Sequence, residues 1–222
     1  MANMRCIGYL RRKFEVVERT LSLEGRSLRL LCVKDADSLL DREEYVREER
    51  LPYWAEVWAS GLALAEYIFR NPFPPKGTVL DLGCGLGTAG IAAALAGHRV
   101  LACDHDPDAL AFARCNAYLN RVASRMKFRL LNWHRPHLRG MFSYILGSDI
   151  LYDRDDIRPL VKFFLRYAGG ELILATPERG VERRAWEELA RLGFELRSHD
   201  LVPVQEGDKV HEVHIRRWLR PQ

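Results

Sequence analysis

Seven consecutive residues, Asp81-Leu82-Gly83-Cys84-Gly85-Leu86-Gly87, join the short apolar run Thr78 to Leu82 to the alanine-rich run Thr88 to Ala96. A buried strand followed directly by a helix fits both runs, with Gly97 as the helix stop. Three glycines between them permit a tight turn and a close approach of a ligand to the backbone. The spacing rejects two familiar phosphate loops. A dinucleotide loop requires its third glycine at position 88, which is Thr88, and no Lys-Ser/Thr pair follows as in a nucleotide-triphosphate loop.

From Thr78 onward the alternation continues, which predicts an α/β domain with a mostly parallel sheet. Arg99 to Cys103, Met126 to Leu131, Ser143 to Ser148 and Glu171 to Ala175 read as strands. Helices are expected from Asp106 to about Asn120, from Asp155 to Ala168 and from Val181 to Leu192. Phe194 to Val204 and Lys209 to Leu219 read as an antiparallel hairpin turning at Gln205-Glu206-Gly207-Asp208. Before the glycine loop, Phe14 to Leu21 and Ser27 to Val33 predict an N-terminal hairpin. Asp41 to Arg50 reads as a highly charged helix, and Glu56 to Arg70 as an apolar one. Asn71 to Gly77, with three prolines, is a stiff linker.

Totals set limits. The 222 residues carry 34 basic and 30 acidic side chains, a net charge of +4 with the basic residues scattered, so nucleic acid is not singled out as a partner. No stretch approaches the ~20 apolar residues of a membrane span, and Met1 to Lys13 lacks the apolar run of a secretory signal. Five cysteines without paired spacing suit buried thiols in a reducing compartment, the cytoplasm.

Asp81 stands two residues before the first glycine, where a carboxylate repels a pyrophosphate but attracts an ammonium group. S-adenosylmethionine carries such an ammonium and no phosphate. At the end of the second strand of this unit, Asp104, with His105 beside it, is placed to accept ribose hydroxyls. Asn132 and Trp133 follow the next strand. There either the indole stacks on the adenine, or a backbone amide contacts the adenine edge, or Trp133 is a core tryptophan. Asp149 ends the following strand, with Tyr152 three residues on. The carboxylate either holds the ammonium of a lysine acceptor or caps the next segment. No metal is expected. His134 and His137 flank a proline in a loop, and His211 and His214 fall on opposite faces of a strand.

Taken together these residues resemble the seven-β-strand S-adenosylmethionine-dependent methyltransferases, and within them the protein lysine methyltransferases of the electron transfer flavoprotein β-subunit branch. The likeness runs from about Leu51 to the C-terminus. It rests on Pro52 to Gly61, on Asp81 to Gly87, on Asp104, on Asn132-Trp133 and on Gly147 to Tyr152. It implies a Rossmann-like twisted sheet of seven strands with the last antiparallel, flanked by helices and extended by the N-terminal hairpin. Residues 1–50 would form the extension and 51–222 the methyltransferase domain. It further implies Asp149 and Tyr152 as catalytic residues and a protein substrate as partner. The implied cofactor pocket comprises Trp58, Asp81, Gly83, Cys84, Gly85, Gly87, Asp104, His105, Asn132, Trp133 and Ser148. Without the likeness, Trp54 and Trp58 read as core residues of one apolar helix. The stretch Thr176 to Gly193 gives no hint of substrate.

Overall fold

A computed structural model describes residues 2–40, 52–75 and 77–221. The charged helix expected over Asp41 to Arg50 lies outside the described residues. The main sheet has seven strands: β3 (Thr78–Leu82), β4 (Arg99–Asp104), β5 (Met126–Leu130), β6 (Phe142–Ser148), β7 (Ala168–Pro177), β8 (Glu195–Glu206) and β9 (Lys209–Leu219). Their spatial order is β5-β4-β3-β6-β7-β9-β8, with β5 to β7 along that order parallel and β9 antiparallel to both its neighbours. The expected fold class is therefore the observed one.

Period-two alternation divides the sheet into two packed faces. In β3, Val79 points to one hydrophobic cluster and Leu80 and Leu82 to the other. The first face is covered by α2 (Ala59–Arg70), α3 (Thr88–Leu95) and α4 (Pro107–Leu119), the second by α5 (Arg154–Tyr167) and α6 (Arg183–Arg191). Asp106 caps α4 by accepting the Asp108 N–H (2.7 Å), as the Asp-Pro start predicts.

Strand order sets the position of the site. The chain starts its sheet in the middle at β3, steps outward through β4 and β5, then returns to β6 on the other side of β3. The reversal leaves a crevice at the carboxyl ends of β3 and β6, where open α/β sheets bind ligands.

The N-terminal hairpin is present as β1 (Val16–Leu23) and β2 (Arg26–Val33). It is preceded by a helix that sequence reasoning missed, α1 (Ala2–Lys13). Leu10 of α1, Phe14, Leu28 and Leu30 to Val33 join the same buried cluster as α4. The cysteine reading is corrected here: Cys6 and Cys115 form a disulfide between α1 and α4, while Cys32, Cys84 and Cys103 are free and buried. Packing of distant segments brings the pair together across a separation of 109 residues, which local spacing does not encode.

The apolar helix starts later than its hydrophobic run. Tyr53–Ala55 forms a 3-10 turn, Glu56 is extended, and α2 begins only at Ala59. Trp54 and Trp58 consequently do not share a helix face. Trp54 is buried against Phe14 and Phe112, with ring centroids 5.8 and 5.4 Å away, whereas Trp58 stands at the helix entrance 40% exposed.

Candidate active site

The glycine loop has the backbone its composition requires. Gly83, Gly85 and Gly87 adopt φ of 65°, 51° and 85°, the left-handed region that side chains other than glycine's rarely occupy. A Cβ on Gly83 would come 2.8 Å from Ile150 Cγ2, so the loop after β3 and the loop after β6 touch here. The Gly85 N–H donates to Asp104 Oδ2 (2.9 Å), and the Asp106 N–H donates to Oδ1 (3.0 Å). The Asp104 carboxylate is thereby fixed at the mouth of the crevice.

A cleft of about 330 Å³ opens at this point. Of the residues proposed from sequence, Trp58, Gly83, Cys84, Gly85, Asp104, His105, Trp133, Ser148, Asp149 and Tyr152 line it. Asp81, Gly87 and Asn132 do not. Asp81 is 1% exposed, and its Oδ2 accepts the Gly90 N–H of α3 (2.9 Å). Burial pushes its carboxyl up to about 7. Asp81 thus ties strand to helix beneath the loop. The Gly87 N–H closes the loop on Cys84 O (2.7 Å), and Asn132 Oδ1 accepts the His134 N–H (2.8 Å). Cys84 is held as a neutral thiol, its pKa raised well above the ordinary value by burial and then by Asp104.

Trp133 is half-buried and oriented from outside the cleft. Its Nε1–H donates to Asp156 Oδ1 of α5 (2.9 Å), an oxygen that His134 Nε2 also reaches (2.5 Å). On the opposite rim the Trp58 Nε1–H donates to Tyr53 O (2.6 Å), and the Tyr53 ring lies 5.5 Å from that of Tyr152 in an edge-on contact. Tyr152 is pushed up to about 12, chiefly by burial and then by Asp156, so at neutral pH its phenol is a proton donor rather than a base.

Asp149 is one of three non-glycine residues with positive φ (55°) among the described residues. Its N–H is held by Ala175 O (2.9 Å), which turns the chain sharply at the end of β6. Asp153, not Asp149, caps α5, accepting the Asp155 N–H at 2.9 Å. The capping alternative for Asp149 therefore falls away. Its carboxylate is instead gripped by the Arg179 guanidinium, Nη1 to Oδ1 and Nη2 to Oδ2 (3.0 Å). That contact raises the Arg179 pKa further. Arg179 sits just past β7, within the stretch that sequence reasoning had found uninformative. Tyr53, Glu56, Gly61, Thr88 and Ile150 also line the cleft unforeseen. A second cavity of about 600 Å³ adjoins the first and shares Tyr53, Glu56, Trp58, Asp149 and Arg179 with it.

This arrangement can hold a nucleoside ribose at Asp104 and present a carboxylate and a phenol to a cation beside it. A family model described as lysine methyltransferase matches residues 40–188. The chain belongs to the lysine methyltransferase family. That family is S-adenosylmethionine-dependent. One relative is the electron transfer flavoprotein beta subunit lysine methyltransferase of Xenopus laevis, 35% identical over 137 residues, or 58% of this chain and 53% of that protein. Another is the protein N-lysine methyltransferase METTL21A of Danio rerio, 28% identical over 179 residues, covering 78% of this chain and 80% of the relative. The chain spans about half or less of the length of the flavoprotein-modifying relatives it matches. Among solved structures, magnesium protoporphyrin IX methyltransferase from Synechocystis superposes with a TM-score of 0.61 at 17% identity, over 83% of this chain and 94% of that one. That likeness carries the fold. Among the described residues no helix is long and apolar enough to cross a membrane.

Proposed function

We propose that this member of the lysine methyltransferase family transfers a methyl group from S-adenosylmethionine to a lysine side chain of a protein partner. The observation that carries the reading is Asp149, held in a positive-φ turn by the Ala175 carbonyl at the junction of the two cavities and facing the glycine-loop cleft.

The cleft suits the cofactor. Asp104 offers its carboxylate where ribose hydroxyls would lie, and the loop at Gly83 and Gly85 keeps backbone rather than side chain at the surface. Trp133, fixed by Asp156, supplies a flat apolar wall for adenine. S-adenosylmethionine supplies an electrophilic methyl carbon on a sulfonium. An acceptor amine would attack that carbon as the carbon–sulfur bond breaks, leaving S-adenosylhomocysteine, with the amine's proton passing to solvent. Methyl transfer of this kind is in-line, so most of the protein's work is alignment. Asp149 would hold the incoming ammonium by charge, and the neutral phenol of Tyr152, paired with Tyr53, would form an apolar and weakly polar side wall. That wall favours the unprotonated amine, whose ordinary pKa of about 10.4 otherwise opposes attack.

The division at residue 50 into an extension and a catalytic domain belongs to the same proposal, as does a cytoplasmic location. Three free buried thiols support that location, and the Cys6–Cys115 bond weighs against it. The test is calorimetric titration with S-adenosylhomocysteine, followed by transfer of labelled methyl into a lysate lacking this gene. Binding together with label in the protein fraction is expected. Binding with label only in RNA or small molecules contradicts a protein acceptor, and binding without transfer anywhere favours a non-catalytic scaffold.

A further inference from the structure

Arg179 stands where an acceptor would have to be. It reaches Asp149 from the loop between Pro177 and Gly180, and it lines both cavities at their junction. Its two terminal nitrogens cover both oxygens of a carboxylate whose side chain is only 11% exposed. An ammonium approaching Asp149 with that fork in place would add a second cation beside the first, which like-charge repulsion opposes. The guanidinium itself is 40% exposed, so water and an incoming cation can reach it from the cavity side. Beside it Gly180, with φ of 88° and open space where a Cβ would stand, leaves the face of the loop next to Arg179 uncovered.

The larger cavity leads to this point. Beyond the shared residues it is walled by Asp37 of the N-terminal extension and by Glu206 and His211 of the β8–β9 hairpin. With Glu56 and Asp149, the described residues of its lining carry four carboxylates against Arg179 and His211. That charge complements a cationic visitor. We propose that the larger cavity admits an alkylammonium side chain, and that Arg179 occupies the ammonium position at Asp149 until such a chain displaces it. Arg179 is thus a specificity-determining residue, an internal competitor that excludes weakly bound amines. The inference deepens the methyl-transfer reading by naming what fills the acceptor position and where it enters.

The probe is n-butylammonium chloride, which matches a lysine side chain from its Cβ outward. Pentan-1-ol is the neutral control. Binding is followed by the indole N–H resonance of Trp58, which lies in both cavities and is assigned by its loss in Trp58→Phe. Arg179→Met, which keeps an apolar stem without the charge, should bind butylammonium at least about tenfold more tightly than the unaltered chain, with the alcohol unaffected. Arg179→Lys, which keeps a cation at the position, should stay close to the unaltered chain. Unchanged or weaker butylammonium binding by Arg179→Met would mean that the arginine orients Asp149 permanently, and it overturns the proposal. So does an equal gain for the alcohol, or a gain in Arg179→Lys as large as in Arg179→Met. If the methionine variant does not fold, Arg179→Gln carries the same reading. S-adenosylhomocysteine is titrated separately against every variant. Its failure to bind would count against the methyl-transfer reading, while the alkylammonium comparison still decides the role of Arg179.

Discussion

Asp81 and Gly90 illustrate how a residue's neighbours, rather than its place in a motif, set its job. A Cβ on Gly90 would lie 2.5 Å from Asp81 Oδ2, so glycine is what lets α3 come close enough to hydrogen-bond that carboxylate. Asp81's carboxyl is raised to about 7 in the folded protein, above its ordinary value near 4, because burial penalises the charge. The folded state therefore binds this proton more tightly than the unfolded chain does. Its stabilising contribution is complete below about pH 4 and is lost as pH rises to about 7. Asp81→Asn keeps an acceptor for Gly90 and removes the titration. The melting temperature of the unaltered chain relative to this variant should fall between pH 4 and 7, and a flat difference would contradict the burial argument. Gly83→Ala combines positive φ with a Cβ 2.8 Å from Ile150, so it should weaken S-adenosylhomocysteine binding about tenfold at a stability cost of about 1–2 kcal/mol. Gly25→Ala, also at positive φ but with open space around it, should leave that affinity unchanged. Calorimetry on the two variants separates loop geometry in the cleft from backbone strain in general. At this scale the glycines, Asp104 and Asp149 were legible because each ends a strand at the same sheet edge. The orientation of Asp81 was not, because sequence does not say which face of β3 meets α3.

At the scale of elements, α4 joins the N-terminal hairpin to the glycine loop. Asn116, fully buried on α4, accepts the Leu31 N–H (2.7 Å) and donates to Leu31 O (3.1 Å) and Leu86 O (3.0 Å). One side chain thus satisfies β2 and the glycine loop together. Asn116→Ala strands three buried backbone groups and should cost about 3 kcal/mol in denaturant unfolding. It should also weaken cofactor binding through Leu86. The neighbouring Cys115 anchors α1 through the disulfide. Cys6→Ser should lower stability by about 2–4 kcal/mol, and reductant should do the same to the unaltered chain alone. Insensitivity of its melting to reductant would contradict a contribution from the bond. The strands and most helices followed from hydrophobic period and punctuation. The helix α1 did not, since among its residues of described burial Leu10 alone is fully buried and its last turn is Arg11-Arg12-Lys13, so no long apolar stripe announces it. The displaced start of α2 was hidden for a related reason, as a 3-10 turn continues the apolar run without continuing the helix.

For the whole molecule, the βα alternation and the closing hairpin gave the fold class, and the position of β3 in mid-sheet turns that fold into a site. Most of the described lining of the cleft follows successive carboxyl ends of strands, and much of it was legible. What holds those residues in place needed the assembled sheet: Arg179 reaches Asp149 from one strand away, Asp156 orients Trp133 from α5, and Tyr53 crosses to Tyr152. None of these pairs has a spacing that a linear reading rewards. The central claim, that this chain methylates lysine with Asp149 holding the acceptor, is tested most directly by identifying the labelled amino acid. Purified protein and Asp149→Asn are each incubated with labelled S-adenosylmethionine and a lysate lacking this gene, and labelled proteins are hydrolysed to amino acids. The account predicts label in methyl-lysine with the unaltered chain and at least about a hundredfold less with Asp149→Asn, at unchanged cofactor affinity. Label in another amino acid, or equal labelling by the variant, would contradict it.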